Sequence, residues 1–346
     1  MNRLYLFLIA LSLCFASFAQ PCKVLFIGNS YTSVNSLPEL ISSMFATSGE
    51  EFDYVMSAPG GCTFQQHCSV SLPYIQQGGW DYVVLQEQSQ LPSFPEDQFM
   101  QESYPYAAEL CSLIRQYNPN AHILFYMTWG RKNGDAQNCS FYPPLCTYEG
   151  MDSLLNFRYL LMTEDNHVCV SPVGAVWHFI RDQYPEMELY QSDGSHPSYF
   201  GSYVAACSFY TSLTGRNPMD ITWNGNLNET QALVAKNAAK QIVFDSLQIW
   251  CFEDDTVQDD TTTIVTNYKD FFYIYPNPTS STLHIHIPNV SDGGSMMILG
   301  ENGVVYQQDY LETDQILNIS QFPSGVYFLS VSFGLRRCTK SFIITH

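Results

Sequence analysis

Between residues 23 and 249, short, mostly apolar runs alternate with longer stretches of helical periodicity, and this alternation limits the fold more than any other feature of the chain. Residues 23–27, 52–56, 81–85, 123–128 and 167–170 read as strands. Helical spacing fills the gaps: Leu37, Leu40, Ile41, Met44 and Phe45 in one stretch, Ala107, Leu110, Cys111 and Ile114 in another. Residues 151–162, 198–213 and 229–249 continue the helical pattern. Strands this apolar must be covered on both faces. Helices between them act as crossovers, which makes the sheet parallel. The expected architecture is α/β, a flavodoxin-like, doubly wound parallel sheet of five strands.

The pattern changes after residue 252. Glu253-Asp254-Asp255 and Asp259-Asp260-Thr261-Thr262-Thr263 offer almost nothing to a core, so 253–267 reads as an acidic, Thr-rich linker. Beyond it Leu283, Ile285 and Ile287 alternate with Thr282, His284 and His286, and Val326, Phe328 and Ser330 continue that kind of pattern. Residues 268–346 are expected to form a small all-β sandwich. At the other end, Arg3 precedes an apolar run over 4–15, and Ser17-Phe18-Ala19 supplies small residues at the positions a signal peptidase reads. Residues 1–19 are therefore expected to be a signal peptide, and 20–252 the main domain. Cys14 also allows a lipoprotein reading, but Leu13 before it is too large for the usual lipobox. The run is too short for a transmembrane anchor, and no other segment qualifies.

Export bears on the 11 cysteines. Disulfides persist outside the cytoplasm. Cys62/Cys68 and Cys139/Cys146 are candidate local bridges. Nine cysteines lie between Cys22 and Cys251, so at least one has no partner within the domain. No C-x-x-C occurs, and His67 with Cys68 has no second pair at ligand spacing, so no metal site is expected. His122, His167 and His178 flank regular elements and read as structural. Asn138-Cys139-Ser140 fits a glycosylation acceptor only in a eukaryotic secretory path. A net charge of -19 argues against nucleic acid and anionic membranes as partners.

Two segments carry chemistry. The first strand runs into Gly28-Asn29-Ser30, which puts a hydroxyl at the carboxyl edge of the sheet, where α/β proteins build their sites. A serine there can also simply cap a helix. Asp193-Gly194-Ser195-His196 lies at the far end of the domain. A neutral hydroxyl needs a base, and a histidine oriented by a carboxylate supplies one. Alternatively, Asp193 can cap the helix that follows. Trp129 and Arg131 end the fourth strand at the same edge; they can form a sugar platform and hold an anionic group, or serve as core and solvated surface.

With these residues in view, the domain resembles the SGNH (GDSL-like) hydrolases over 22–250. Gly28-Asn29-Ser30 resembles their first block, with Asn29 where the commonest form has Asp, and Asp193-x-x-His196 resembles the last. Pro59-Gly60-Gly61 resembles the block that donates a backbone N–H to the oxyanion. The block that usually reads G-x-N-D is here Gln86-Glu87-Gln88-Ser89, a departure that looks like a divergent subgroup. The resemblance implies Ser30 as nucleophile, His196 as base and Asp193 as its partner, without metal or organic cofactor. It implies an oxyanion hole from Ser30, Gly60 and Gln86, with Gly61 and Gln88 as substitutes.

The tail has its own resemblance. Tyr275-Pro276-Asn277-Pro278, Leu283-His284-Ile285, Phe322-Pro323-Ser324-Gly325-Val326-Tyr327 and Lys340 are similar to the C-terminal sorting domain of type IX secretion. This implies contact with that machinery, export across a Gram-negative outer membrane, and release or surface attachment. A carbohydrate-binding or spacer domain is the alternative. The expected function is a secreted esterase that removes acetyl or short acyl groups from carbohydrate. The alternatives are a lipase, lysophospholipase or thioesterase, and a non-catalytic glycan-binding surface protein on the same scaffold.

Overall fold

The computed structural model describes residues 21–251, 272–287, 294–300, 305–311, 315–333 and 336–346. The expected signal peptide and linker lie outside these residues. Five parallel strands, β1 (Cys22–Ile27), β2 (Phe52–Ser57), β3 (Tyr82–Leu85), β4 (His122–Tyr126) and β5 (Cys169–Ser171), line up in the order β2-β1-β3-β4-β5. That is the flavodoxin-like order, and it reverses direction between β1 and β3, which opens a crevice at their carboxyl ends.

Successive side chains of a strand point to opposite faces, and both faces are dry here. Val24 and Phe26 face one core with α2 (Leu37–Ala46), α8 (Val173–Gln183), α9 (Tyr199–Thr214) and α10 (Glu229–Ile242). Leu25 and Ile27 face the other with α3 (Phe64–Val70), α6 (Tyr104–Tyr117) and α7 (Tyr148–Asp165). Three further α-helices are α1 (Ser30–Ser33), α4 (Leu72–Gln77) and α5 (Glu96–Glu102).

Several boundaries differ from expectation for local reasons. His167 adopts φ 49° and closes the turn after α7, so β5 begins at Cys169 instead of 167. The expected helix over 229–249 ends at Ile242 and gives way to 3-10 turns with a kink at Ser246. Cys139 pairs with Cys146 as expected, whereas Cys62 and Cys68 are both free. A bond not foreseen joins Cys169 to Cys251 and ties β5 to the domain's C-terminal end, where the N–H of Val170 also donates to the Trp250 carbonyl.

In the tail, β6 (Tyr273–Tyr275), β7 (Thr282–His286) and β10 (Gln315–Asn318) form one antiparallel sheet. β8 (Gly294–Gly300), β9 (Val305–Leu311), β11 (Gly325–Phe333) and β12 (Arg336–Ile344) form another. The alternating Leu283 and Ile285 share a core with Ile298, Leu329 and Phe342, as expected of a small β-sandwich.

Candidate active site

The site is built on the turn that leaves β1. Gly28 is held by its N–H, which donates to the Ser57 carbonyl at 3.0 Å, and by its carbonyl, which meets His67 Nε2 at 2.8 Å. A Cβ here would lie 2.5 Å from Thr32 Oγ1 and 2.8 Å from Gln86 Oε1, so only glycine fits. Asn29 follows and is almost fully buried. Its Oδ1 accepts from the N–H of Tyr31 at 3.2 Å and caps α1. Its Nδ2 donates to the carbonyls of Cys62 and Glu87, at 3.2 and 3.3 Å. Two carbonyl acceptors demand a donor, which explains why an amide serves here where an aspartate could not.

Ser30 is the first residue of α1, so its own N–H has no partner within the helix. Its Oγ lies 2.9 Å from His196 Nε2. His196 Nδ1 lies 2.5 Å from Asp193 Oδ2. The other carboxylate oxygen, Oδ1, accepts the N–H groups of Ser195 and His196, both at 2.9 Å. Because a carboxylate can only accept, Nδ1 carries the hydrogen, and the Nε2 lone pair faces the serine. Burial alone would raise the Asp193 carboxyl, but the hydrogen bonds from His196 and the two amides outweigh it and hold Asp193 below its ordinary value. Gly194, at φ 67°, makes the turn. The cap of α9 is Ser198, whose Oγ accepts from the N–H of Gly201, so Asp193 does not cap that helix.

The loop Pro59–Cys62 lies beside this turn because the Cys62 carbonyl receives Asn29 Nδ2. Gly60 and Gly61 are exposed with open space around them. The two glutamines differ. Gln86 is fully buried; its Oε1 accepts from Asn29 N at 3.0 Å and Thr32 Oγ1 at 2.9 Å, and its Nε2 donates to the Glu87 carbonyl. Its oxygen braces the β1 turn and its amide nitrogen is turned to the Glu87 carbonyl, so the expected oxyanion role does not suit it. Gln88 is half-buried. Its Oε1 accepts from the N–H groups of Gln90 and Leu91, and its amide NH₂ donates one hydrogen to Gln90 Oε1 at 3.1 Å, which leaves its second hydrogen without a partner on Gln90.

Of the two readings of Trp129, core packing is the one observed. It has no exposed surface and is stacked between Tyr31 and Trp177, so it cannot be a sugar platform. Arg131 pairs with the fully buried Asp135 at 2.8 Å, and Asp135 also receives Gln90 Nε2 and Asn138 Nδ2. The Arg131 charge is therefore balanced within the protein.

Sequence reasoning passed over Glu87. Its carboxyl is fully buried, with Oε1 accepting from the N–H of Phe64 at 2.8 Å and of Gln88 at 2.6 Å, and Oε2 from Ser103 Oγ at 2.8 Å. It joins the start of α3, the loop after β3 and the start of α6. The available signal was a charge two residues past the end of β3. Burial pushes its pKa from 4.5 to about 7, against the pull of those hydrogen bonds. Between these values the folded protein keeps a proton that the unfolded chain has released. The resulting stabilisation is complete below pH 4.5 and is lost as pH rises through about 7. The loss is on the order of 3 kcal/mol. Urea unfolding of wild type and Glu87→Gln across this range should show the glutamine variant gaining on wild type as pH rises. A difference independent of pH would contradict the assignment.

Comparison with known proteins follows the two domains. Residues 273–345 match the family of secretion system C-terminal sorting domains. A solved DUF4886 family protein from Bacteroides uniformis shares the fold, at 19% identity over 66% of this chain and 95% of that one, with a TM-score of 0.54. An acetyl-xylooligosaccharide esterase variant from Geobacillus is similar at 17% identity over 61% of this chain and 99% of that one, with a TM-score of 0.41. No curated protein matches the chain. Among the described residues, no helix is long and apolar enough to cross a membrane. Residues 273–345 are thus a secretion-system sorting domain, which makes the chain a secreted or cell-surface protein of the type IX pathway.

Proposed function

We propose that the chain is a secreted serine esterase that works through an acyl-Ser30 intermediate. The observation that carries this reading is the unbroken line Ser30 Oγ, His196 Nε2, His196 Nδ1, Asp193 Oδ2, with separations of 2.9 and 2.5 Å. In such an arrangement His196 takes the serine proton as Ser30 Oγ attacks the ester carbonyl. It then gives that proton to the departing alcohol. Water, activated by the same imidazole, releases the acid and restores Ser30. Asp193 stays ionised and steadies the imidazolium.

The oxyanion would be held by the N–H of Ser30, by that of Gly60 or Gly61, and by a glutamine amide. Gln88 suits this last role better than Gln86, because it is only half-buried and keeps an amide hydrogen beyond the one given to Gln90, while Gln86 is fully buried and spent on the turn and on Glu87. Donors aimed at the developing charge are each worth about 10²–10³ in rate.

Acetyl or short acyl groups on carbohydrate are the proposed substrates, since a secreted protein meets them and the site has no need of a charged ligand. Initial rates on p-nitrophenyl acetate and p-nitrophenyl octanoate, measured with the full chain under oxidising conditions, test this. Preference for the acetate supports a short-chain deacylase, and preference for the octanoate overturns it in favour of a lipase.

A further inference from the structure

Of the two residues between Asp193 and His196, the second is more than a spacer. Ser195 is nearly buried, and each of its polar groups is engaged. Its N–H donates to Asp193 Oδ1 at 2.9 Å, its carbonyl accepts from Trp129 Nε1 at 3.1 Å, and its Oγ lies 2.7 Å from the Tyr31 hydroxyl. Tyr31 is the residue after the candidate nucleophile. Its ring lies flat on Trp129, with centroids 4.8 Å apart and planes 6° from parallel, and Trp129 lies flat on Trp177 at 3.6 Å. The same tyrosine meets His196 nearly edge to face at 5.4 Å. On the far side of His196, Asn35 Nδ2 donates to the carbonyls of Pro197 and Ser198, both at 3.1 Å.

The segment that carries the hydroxyl therefore grips the segment that carries the base, on both sides of the base. We propose that Tyr31, through Ser195, is a positioning residue that fixes His196 over Ser30. This rests on the esterase reading above. The physical need is plain. Asp193 and His196 sit on a turn at the surface, with side chains 48% and 31% exposed, so packing around the pair cannot hold them. A buried tyrosine rigidly stacked on tryptophan can. Because Tyr31 and Ser30 are adjacent in the chain, a displacement of one is shared by the other, and the grip keeps hydroxyl and imidazole in register. Misplacement on the scale of 1 Å at a reacting centre costs about 10²-fold in rate.

The test is a double-mutant cycle of Tyr31→Phe and Ser195→Ala in the full chain, with turnover of p-nitrophenyl acetate expressed per titrated active site. Each single variant should lower kcat about tenfold with KM within about twofold of wild type. The double variant should be no slower than the worse single one, because both remove the same contact. Losses that multiply, or a kcat per active site within about twofold of wild type beside a lowered Tm, would overturn the proposal. The latter is the mark of a purely structural bond.

A second measurement is independent of turnover. The low-field proton NMR signal of the His196 Nδ1 hydrogen should be sharp in wild type and broadened by faster exchange with water in both single variants. An unchanged signal overturns the clamp. A wild type with the sharp signal but no Ser30-dependent turnover would instead count against the esterase reading and leave the clamp to be decided by the NMR comparison.

Discussion

Replacing His196 by alanine should lower kcat on p-nitrophenyl acetate on the order of 10⁴-fold or more, with KM nearly unchanged. The imidazole touches Ser30 Oγ at 2.9 Å, which makes it the base in contact with that hydroxyl. Without it the serine must lose its proton to water. Asp193→Asn should cost on the order of 10³–10⁴-fold by another route. Asparagine's oxygen would take the two backbone N–H groups now held by Oδ1, and its NH₂ would then face Nδ1. That favours the tautomer with hydrogen on Nε2, which cannot accept from Ser30. The two variants should therefore share a lost kcat while both stay folded. Steady-state kinetics beside circular dichroism checks this, and a His196→Ala variant within about tenfold of wild type would contradict the assigned base.

The second large effect is on stability. Trp129→Ala should destabilise the domain by about 3–5 kcal/mol. The side chain has no exposed surface, lies between Tyr31 and Trp177, and donates to the Ser195 carbonyl. Its removal leaves a cavity with rigid aromatic walls that cannot easily collapse, and an unpaired buried carbonyl as well. A domain of this size should lose on the order of 10 °C in Tm. Thermal unfolding followed by near-ultraviolet circular dichroism measures it. A loss below about 1 kcal/mol would mean that the stack is not part of the rigid core.

Much of this was readable from the chain. The parallel α/β sheet followed from apolar runs separated by helical stretches, because that pattern admits few topologies; the number and length of the strands only suggested their order. Ser30, Asp193 and His196 could be named because each lies in a short local motif at a sheet edge, and the structure brings the three side chains together. What could not be read depended on where a side chain points after a strand ends. Gln86 and Gln88 are chemically the same and two residues apart. The first faces inward because Asn29 and Thr32, far away in sequence, present donors to it. Trp129 fits a binding platform or the core by position, and it is a core residue because Tyr31 and Trp177 cover both its faces. Glu87 gave no periodic signal, since its three partners come from three separate elements. Cys169 meets Cys251 only because β5 pairs with the domain's last residues.

The most direct test of the central claim is covalent labelling. Wild-type protein and Ser30→Ala would be treated with a fluorophosphonate probe under oxidising conditions, digested, and mapped by mass spectrometry. One equivalent of probe is expected on the peptide containing Ser30, and none on the alanine variant. A folded wild type that takes up no probe, or takes it up on another residue, would contradict Ser30 as the nucleophile.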